Sequence, residues 1–358
     1  MPRRLDPAVV SLAEALDRRT TEGALYTKLP DGRVKCTACG HRCTVLPGLD
    51  GVCRVRTNRE GVLLVPRGYV AALQLDPIEK KPFFHAFPGT SALSFGMLGC
   101  DLHCGYCQNW VTSQALRDPA ALAGPRDVEP AELVRMAEGA GARVMVSTYN
   151  EPLITAEWAV EIFALAKTRG IVCGFVSNGN ATPEVLEFIR PYVSLYKVDL
   201  KGFTDAHYRE LGCKLQNVLD SIARIHAMGF WLEIVTLLIP GFNDDSGELA
   251  ALTEFVASVS PDVPWHVTAF HADYKMSATR DATAEDLMRA AAIGSRAGLR
   301  YVYAGNLPGQ VGNLEDTRCP SCGATVIARR GYRVTARSLD GAGCCSACGG
   351  AVAGYWRS

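Results

Sequence analysis

Three cysteines crowd one short stretch, Gly99 to Trp110, which reads GCDLHCGYCQNW. Cys100, Cys104 and Cys107 form the pattern C-x3-C-x2-C. Three thiolates at that spacing can wrap three corners of a cubane iron–sulfur cluster from one tight loop. Such clusters usually take four cysteines, so a triplet leaves one iron open to bind and reduce something. Zinc is the alternative occupant, with His103 completing the set, because three cysteines alone leave a structural zinc one ligand short.

Fourteen cysteines in all form two further groups and a few singles. Cys36, Cys39, Cys43 and Cys53 lie in a loop-rich unit around the turn PGLDG. That unit has too few apolar residues for a core of its own, so a metal is expected to hold it. Tetrahedral zinc is the simplest occupant, and a second iron–sulfur cluster is the rival. His41 reads as a supporting or surface residue, and Arg42, Arg54, Arg56 and Arg59 as a solvated basic face. At the other end, Cys319-x2-Cys322 and Cys345-x2-Cys348 flank IARRGYRVTARSL. This spacing predicts a zinc ribbon with two knuckles and a β-hairpin between them. Cys344 is the spare. Arg329, Arg330, Arg333 and Arg337 would permit nucleic-acid or protein binding, but a stabilising cap folded by its metal is the preferred reading. Cys173 and Cys213 read as packed thiols.

The chain has 358 residues, 48% of them hydrophobic, which allows one large domain with additions. Lys+Arg and Asp+Glu are equal at 37 each, so global charge favours neither nucleic acid nor a membrane surface. No apolar run is long enough to span a bilayer. MPRRLDPAVVSLAEAL has no apolar signal core. A cytoplasmic location follows as an expectation, and there cysteines serve metals before disulfides.

Elements must position these groups. Residues 5–19 predict an amphipathic helix with Val9, Val10, Leu12, Ala13 and Leu16 on one face and Asp6-Pro7 at its start. The stretch 61–89 mixes short strands with the turn DPIEKKPFFHAFPG, whose Lys80, Lys81 and His85 could line a site from below. From Ser91 the pattern alternates: ALSFGML, RVMVSTY, IVCGFVSN, SLYKVDL, WLEIVTLLI, WHVTAF and RYVYAG read as strands, with amphipathic helices between. Apolar strands separated by helices mean a covered parallel sheet. Seven strands fall one short of a closed eight-fold barrel. The fold class is therefore α/β, a partial (open) parallel β/α barrel over 61–310. It is flanked by a cysteine-rich metal unit over 1–60 and a zinc-ribbon tail over 311–358.

Parallel α/β barrels carry chemistry at the carboxyl ends of their strands. Those ends hold the cysteine loop, then Thr148 to Pro152, Ser177 to Asn180, Asp199 to Lys201, Ile239 to Asp244, His266 with His271, and Gly305 to Gly309. Each alone is a turn or a cap. Together, beside a cysteine triplet, they predict one shared pocket.

The triplet, with Tyr106 before its last cysteine, resembles the cluster loop of radical S-adenosylmethionine (SAM) enzymes. The barrel is similar to activases of glycyl-radical enzymes. The whole chain resembles more closely the AmmeMemoRadiSam system radical SAM enzymes. That likeness rests on the N-terminal C-x2-C-x3-C knot, EKKPFFHAFPG, TYNEP, PWHVTAFHADYKM, YAGNLPG and the terminal ribbon. The resemblance implies a [4Fe–4S] cluster on Cys100, Cys104 and Cys107, with SAM chelating the open iron. Asn150, Glu151 and Pro152 stand where the family has a Gly-Gly-Glu-Pro run that contacts the methionyl amino group, Asn150 replacing a glycine. Ser177 and Asn178 match a Thr-Asn-Gly run, and Val176 stands where activases carry an aspartate. Asp199 and Lys201 match an Asp-Leu-Lys run whose lysine meets the SAM carboxylate, and His266 a histidine near the ribose. His271, Asp273, Tyr274 and Lys275 are expected to face substrate. The implied activity is reductive cleavage of SAM to methionine and a 5′-deoxyadenosyl radical that abstracts hydrogen from a substrate. A flavodoxin- or ferredoxin-type electron donor is implied, as are partner proteins of the same three-part system. A glycyl-radical activase and a non-catalytic zinc scaffold binding RNA are the alternatives.

Overall fold

The computed structural model describes residues 11–356. Its centre is an eight-stranded sheet: β1 (Ala72–Pro77), β2 (Ser91–Gly96), β3 (Val144–Ser147), β4 (Val172–Ser177), β5 (Leu195–Asp199), β6 (Trp231–Leu238), β7 (Trp265–Ala269) and β8 (Val302–Gly305). The strands lie side by side in chain order, and β2 to β8 all run parallel. Among the described residues β1 and β8 do not pair, so the sheet stays open. The seven parallel strands are those expected from the apolar runs. The eighth, β1, pairs antiparallel with β2. Its residues are largely exposed or half-buried, as an edge strand's are, which hid it within the mixed stretch before Ser91.

Helices cover the sheet between successive strands. Leu215–Ala227 shows why they form: Leu215, Val218, Ile222 and Ile225 recur at helical spacing and are buried. One short helix, Asp205–Leu211, was not anticipated. The Thr204 side chain caps it by accepting from His207 N, and Gly212 ends it at φ 96°. That glycine also clears space, since a Cβ there would lie 2.2 Å from His103 Cε1 in the cysteine loop.

The N-terminal helix is described over Leu12–Asp17, with a capping box between Ser11 and Glu14. The expected Asp6-Pro7 start, Val9 and Val10 lie outside the described residues. The boundary expected at residue 60 falls inside a sheet. Val62–Pro66 pairs with both Thr20–Glu22 and Thr57–Arg59. Glu60 and Gly61, at φ 51° and 86°, make the two-residue hairpin turn that joins the last two strands. The basic face expected there is only partly solvated. Arg56 is 1% exposed and its guanidinium grips Glu157 at 2.7 and 2.8 Å.

At the C-terminus, β9 (Thr317–Arg318), β10 (Thr325–Arg330) and β11 (Arg333–Arg337) form an antiparallel sheet, including the expected hairpin. Its apolar residues share a core with Phe84, Tyr301 and Tyr303 of the barrel. Arg329 is not a surface charge: it donates to Phe84 O and Thr317 Oγ1, both at 2.7 Å, and lies 4.3 Å over the Phe84 ring.

Candidate functional site

The cysteine loop leaves β2 at Gly96, where a Cβ would meet Thr148 O at 2.2 Å, so only glycine lets the ends of β2 and β3 close together. Beyond it, Cys104 and Cys107 face a cavity of about 360 Å³. Tyr106, Asp199, Lys201 and His266 share its walls, as do Lys80 and Lys81. The expected shared pocket at the strand ends therefore exists. Burial pushes the Cys104 thiol up to about 12, while the Lys201 charge opposes it. Cys107 Sγ lies 3.2 Å from Ser113 Oγ, and Cys100 Sγ accepts from Leu102 N at 3.4 Å. Tyr106 is buried, and its Oη has no hydrogen-bond partner among the described residues.

Opposite the thiols, Asp199 sits between two lysines. Lys197 Nζ pairs with Oδ1, and Lys201 Nζ lies 3.3 Å from Oδ2. Burial alone would raise this carboxyl, but the two ammonium groups outweigh it and bring it down to about 2. Burial works against the Lys201 charge too, yet Asp199 and the cysteine thiolates hold it well above an ordinary lysine. The pocket thus keeps a net cation against the cysteine loop. His266 Nε2 lies 2.7 Å from Glu233 Oε2, and burial lowers the imidazole below its usual range. Glu233 also accepts from Phe84 N at 3.0 Å and His85 N at 2.9 Å, which fixes the floor beneath His266.

Residues 96–253 match the radical SAM superfamily. An uncharacterized protein of Methanocaldococcus jannaschii is 34% identical over 321 residues, covering 89% of this chain and 94% of that one. This chain belongs to the radical SAM superfamily. A pyruvate formate-lyase-activating enzyme of Staphylococcus aureus is 26% identical over 194 residues, covering 51% of this chain and 76% of that enzyme. A crystal structure of a domain of pyruvate-formate lyase-activating enzyme from Bacteroides vulgatus covers 45% of this chain and 98% of its own, at 21% identity and a TM-score of 0.40. So loose an overlay adds nothing to the assignment. The family is a family of enzymes, and this radical SAM enzyme's substrate is open.

The three cysteine groups differ in spacing. Among the described residues, only Cys319, Cys322, Cys345 and Cys348 bring three or more ligand atoms within 4.8 Å of one another. Cys100, Cys104 and Cys107, with or without His103, do not close on a single ion. Thiolates that bind different irons of one cluster need not close on a single point.

Of the residues expected to touch SAM, Tyr106, Asp199, Lys201 and His266 line this cavity; Asn150, Glu151, Ser177 and Asn178 do not. Asn150 Oδ1 accepts from Met97 N at 3.0 Å. Glu151 accepts from Ser177 Oγ at 2.7 Å, Asn178 N at 2.8 Å and Leu153 N at 3.1 Å. Burial pushes Glu151 up to about 8, with the Asp101 charge adding to it. Asp101 is the hub that residue types alone did not reveal. It is fully buried beside Cys100 and accepts from Asn178 Nδ2 at 2.7 Å and Asn180 Nδ2 at 2.9 Å.

The expected substrate residues separate. His271 lines an adjoining cavity. Tyr274 and Lys275 cover the cysteine loop instead. The Tyr274 ring stacks on Trp110 at 5.0 Å, its hydroxyl donates to Asp118 at 2.8 Å, and Lys275 N donates to Gly105 O at 3.0 Å. Lys197 and Tyr332 are among the further cavity residues that sequence reasoning missed. Lys197 stands two residues before Asp199 on β5, and the two-residue period that puts both on one face was the available signal. Tyr332 reaches the cavity from the ribbon hairpin, and no local pattern marks it.

Proposed function

We propose that this chain uses Cys100, Cys104 and Cys107 to hold a [4Fe–4S] cluster whose fourth iron is kept for SAM. The supporting observation is that Cys104, Cys107, Asp199, Lys201 and His266 share one cavity at the carboxyl ends of parallel strands. When bound, the cluster supplies one electron to the sulfonium of SAM, releasing methionine and a 5′-deoxyadenosyl radical that takes a hydrogen atom from substrate. Lys201 is placed to face the SAM carboxylate as a charge-assisted donor. His266, neutral and held by Glu233, is placed for the ribose, and the orphaned Tyr106 hydroxyl offers a further polar contact. Asn150, Glu151, Ser177 and Asn178 shape the loop ends behind the cluster. Tyr274 and Lys275 shield the cysteine loop from water, and His271 is left to face substrate.

The cysteines of the ribbon suit zinc. Four thiolates around one tetrahedral zinc stand about 3.8 Å apart, given a zinc–sulfur bond of about 2.3 Å. Cys319 and Cys348 are 3.7 Å apart, and Cys322 and Cys345 are 3.8 Å apart. A flavodoxin- or ferredoxin-type donor would supply the electron, and proteins of the AmmeMemoRadiSam system are the proposed partners. The likeness to an activating enzyme favours a second reading, in which the hydrogen comes from a glycyl-radical enzyme.

Anaerobically reconstituted protein with dithionite and SAM should release 5′-deoxyadenosine and methionine. Cys104→Ala should reduce this to background. Release undiminished in that variant would defeat the cluster assignment. A glycyl radical formed on an added glycyl-radical enzyme, seen by electron paramagnetic resonance, would favour the activase reading.

A further inference from the structure

Cys36, Cys39, Cys43 and Cys53 form a second set of four thiols on the flank of the cysteine loop. Cys36 ends a short strand, Val34–Cys36, and its N–H donates to Cys43 O at 2.9 Å, which folds the two halves of the knot together. Cys36, Cys39 and Cys53 are each 6% exposed. A Cβ on Gly51, two residues before Cys53, would stand 3.7 Å from Cys43 Sγ, so the turn that carries Cys53 closes against the Cys36–Cys43 pair. Yet no three of these sulfurs lie within 4.8 Å of one another, among the described residues, whereas the ribbon's four do. One chain therefore holds two quartets of different size. The tighter matches a single tetrahedral ion. The wider, like the Cys100–Cys104–Cys107 set, does not close on one ion, and thiolates that each take a different metal atom need not do so.

The wider quartet also touches the cysteine loop directly. Gly99, at φ 92°, lies so close to it that a Cβ would stand 3.1 Å from Cys53 O and 2.8 Å from Val55 Cγ1. His41 Nε2 lies 3.1 Å from Asp101 O. Gly40 N donates to Asn180 O at 2.7 Å, and Asn180 in turn holds Asp101. One path from Cys39 to Cys100 thus runs through Gly40, His41, one hydrogen bond and Asp101. A buried cation accompanies the quartet. Both terminal nitrogens of Arg56 are bound to Glu157, but its Nε has no partner among the described residues. Buried positive charge and N–H donors are among the levers that set the potential of a cluster.

We propose that Cys36, Cys39, Cys43 and Cys53 bind an iron–sulfur cluster that passes single electrons to the Cys100–Cys104–Cys107 site. Its second half rests on the proposed function; the metal assignment does not. A one-electron donor of the ferredoxin or flavodoxin class loses one electron and the outer cluster gains it. The outer cluster then returns to its oxidised state as the inner one is reduced. No bond is made or broken in either transfer.

Iron, sulfide and zinc counts on the anaerobically reconstituted full chain test the assignment. Wild type should carry about eight irons and one zinc by the usual site stoichiometries. The C100A/C104A/C107A variant should keep about four irons and a dithionite-reducible electron paramagnetic resonance signal. Two zincs and no iron in that variant would overturn the proposal, whatever happens to SAM. Wild type that carries about eight irons yet releases no 5′-deoxyadenosine would instead count against the proposed function. For the transfer, C36S/C39S should accept electrons from reduced ferredoxin at the inner site at least about tenfold more slowly, an order of magnitude set by loss of the nearer cluster. An unchanged rate would overturn the relay. Should C36S/C39S fail to fold, the metal counts on wild type and the triple variant still decide the assignment.

Discussion

Two cysteine quartets bracket one barrel, and they are built differently. The ribbon at the C-terminus closes its thiols to within 4.8 Å and leaves Cys322 and Cys348 exposed. The N-terminal knot spreads its thiols, buries Cys36, Cys39 and Cys53, and leans on the Cys100–Cys107 loop. The ribbon instead meets the barrel through side chains. Arg329 donates to Thr317 Oγ1 at 2.7 Å, Thr317 lies 2.8 Å from Tyr303 Oη, and Tyr303 Oη lies 2.5 Å from His85 Nε2. His85 Nδ1 is 2.6 Å from Ala353 O, a carbonyl that only accepts, so Nδ1 carries the proton and the chain of donors runs one way. The lesson is that a count of cysteines does not name a metal. The distance between sulfurs, and what the loops around them press against, does.

The contrast can be broken at either end. The largest effect is expected from stripping the ribbon metal, because a structural zinc supplies on the order of 10 kcal/mol to so small a unit. Chelation, or Cys345→Ser, should open residues 317–356 to proteolysis and hydrogen exchange. The barrel's helical circular dichroism should persist. An exchange-protected ribbon after metal loss would mean that side-chain docking alone holds it.

Arg56→Met strikes the other end. It leaves Glu157 buried and unpaired, at a cost of about 3–5 kcal/mol. Denaturant midpoints should fall accordingly, and the double change with Glu157→Leu should recover most of the loss. No recovery would remove the ion pair as the anchor of the knot.

The ribbon junction should also be sensitive to acid. Burial lowers His85 from 6.5 to about 4. A histidine kept neutral in the fold stabilises fully above the unfolded value, and that stability is lost as pH falls from 6.5 towards 4. The span corresponds to about 3 kcal/mol. His85→Phe should flatten the dependence of stability on pH across that window; an unchanged slope would place the titration elsewhere.

The smallest stability effect belongs to Tyr332, which is 41% exposed and lines the cavity from the ribbon. Tyr332→Ala should shift stability by no more than about 0.5 kcal/mol while changing which molecules protect the cavity from labelling. If neither changes, the ribbon is a cap with no share in the site.

Much of the barrel was legible because its strands are continuous apolar runs and its helices carry the 3.6-residue period, as in VCGFVS and LQNVLDSIARIHA. β1 was not, because an edge strand lacks that run. The cavity's Asp199 and Lys201 could be read from a strand end, whereas His266 stands second in Trp265–Ala269, towards the amino end of its strand. Glu151 and Asn178 were read as ligand contacts, but their polar atoms are satisfied by each other and by Asp101. Such pairing is a long-range fact without a local pattern. Arg56 and Arg329 looked like surface charge for the same reason: each meets its partner only after distant segments dock. The difference between the two quartets was equally hidden, since spacing along the chain sets loop length and not the gap between sulfurs.

The central claim is an iron without a protein ligand, reserved for SAM. Electron–nuclear double resonance on the reduced protein with SAM labelled by nitrogen-15 at its amino group tests it directly. The account predicts a nitrogen-15 coupling to the inner cluster that disappears in Cys104→Ala. A cluster showing no such coupling, and instead a fourth ligand from the chain such as His103, would contradict it.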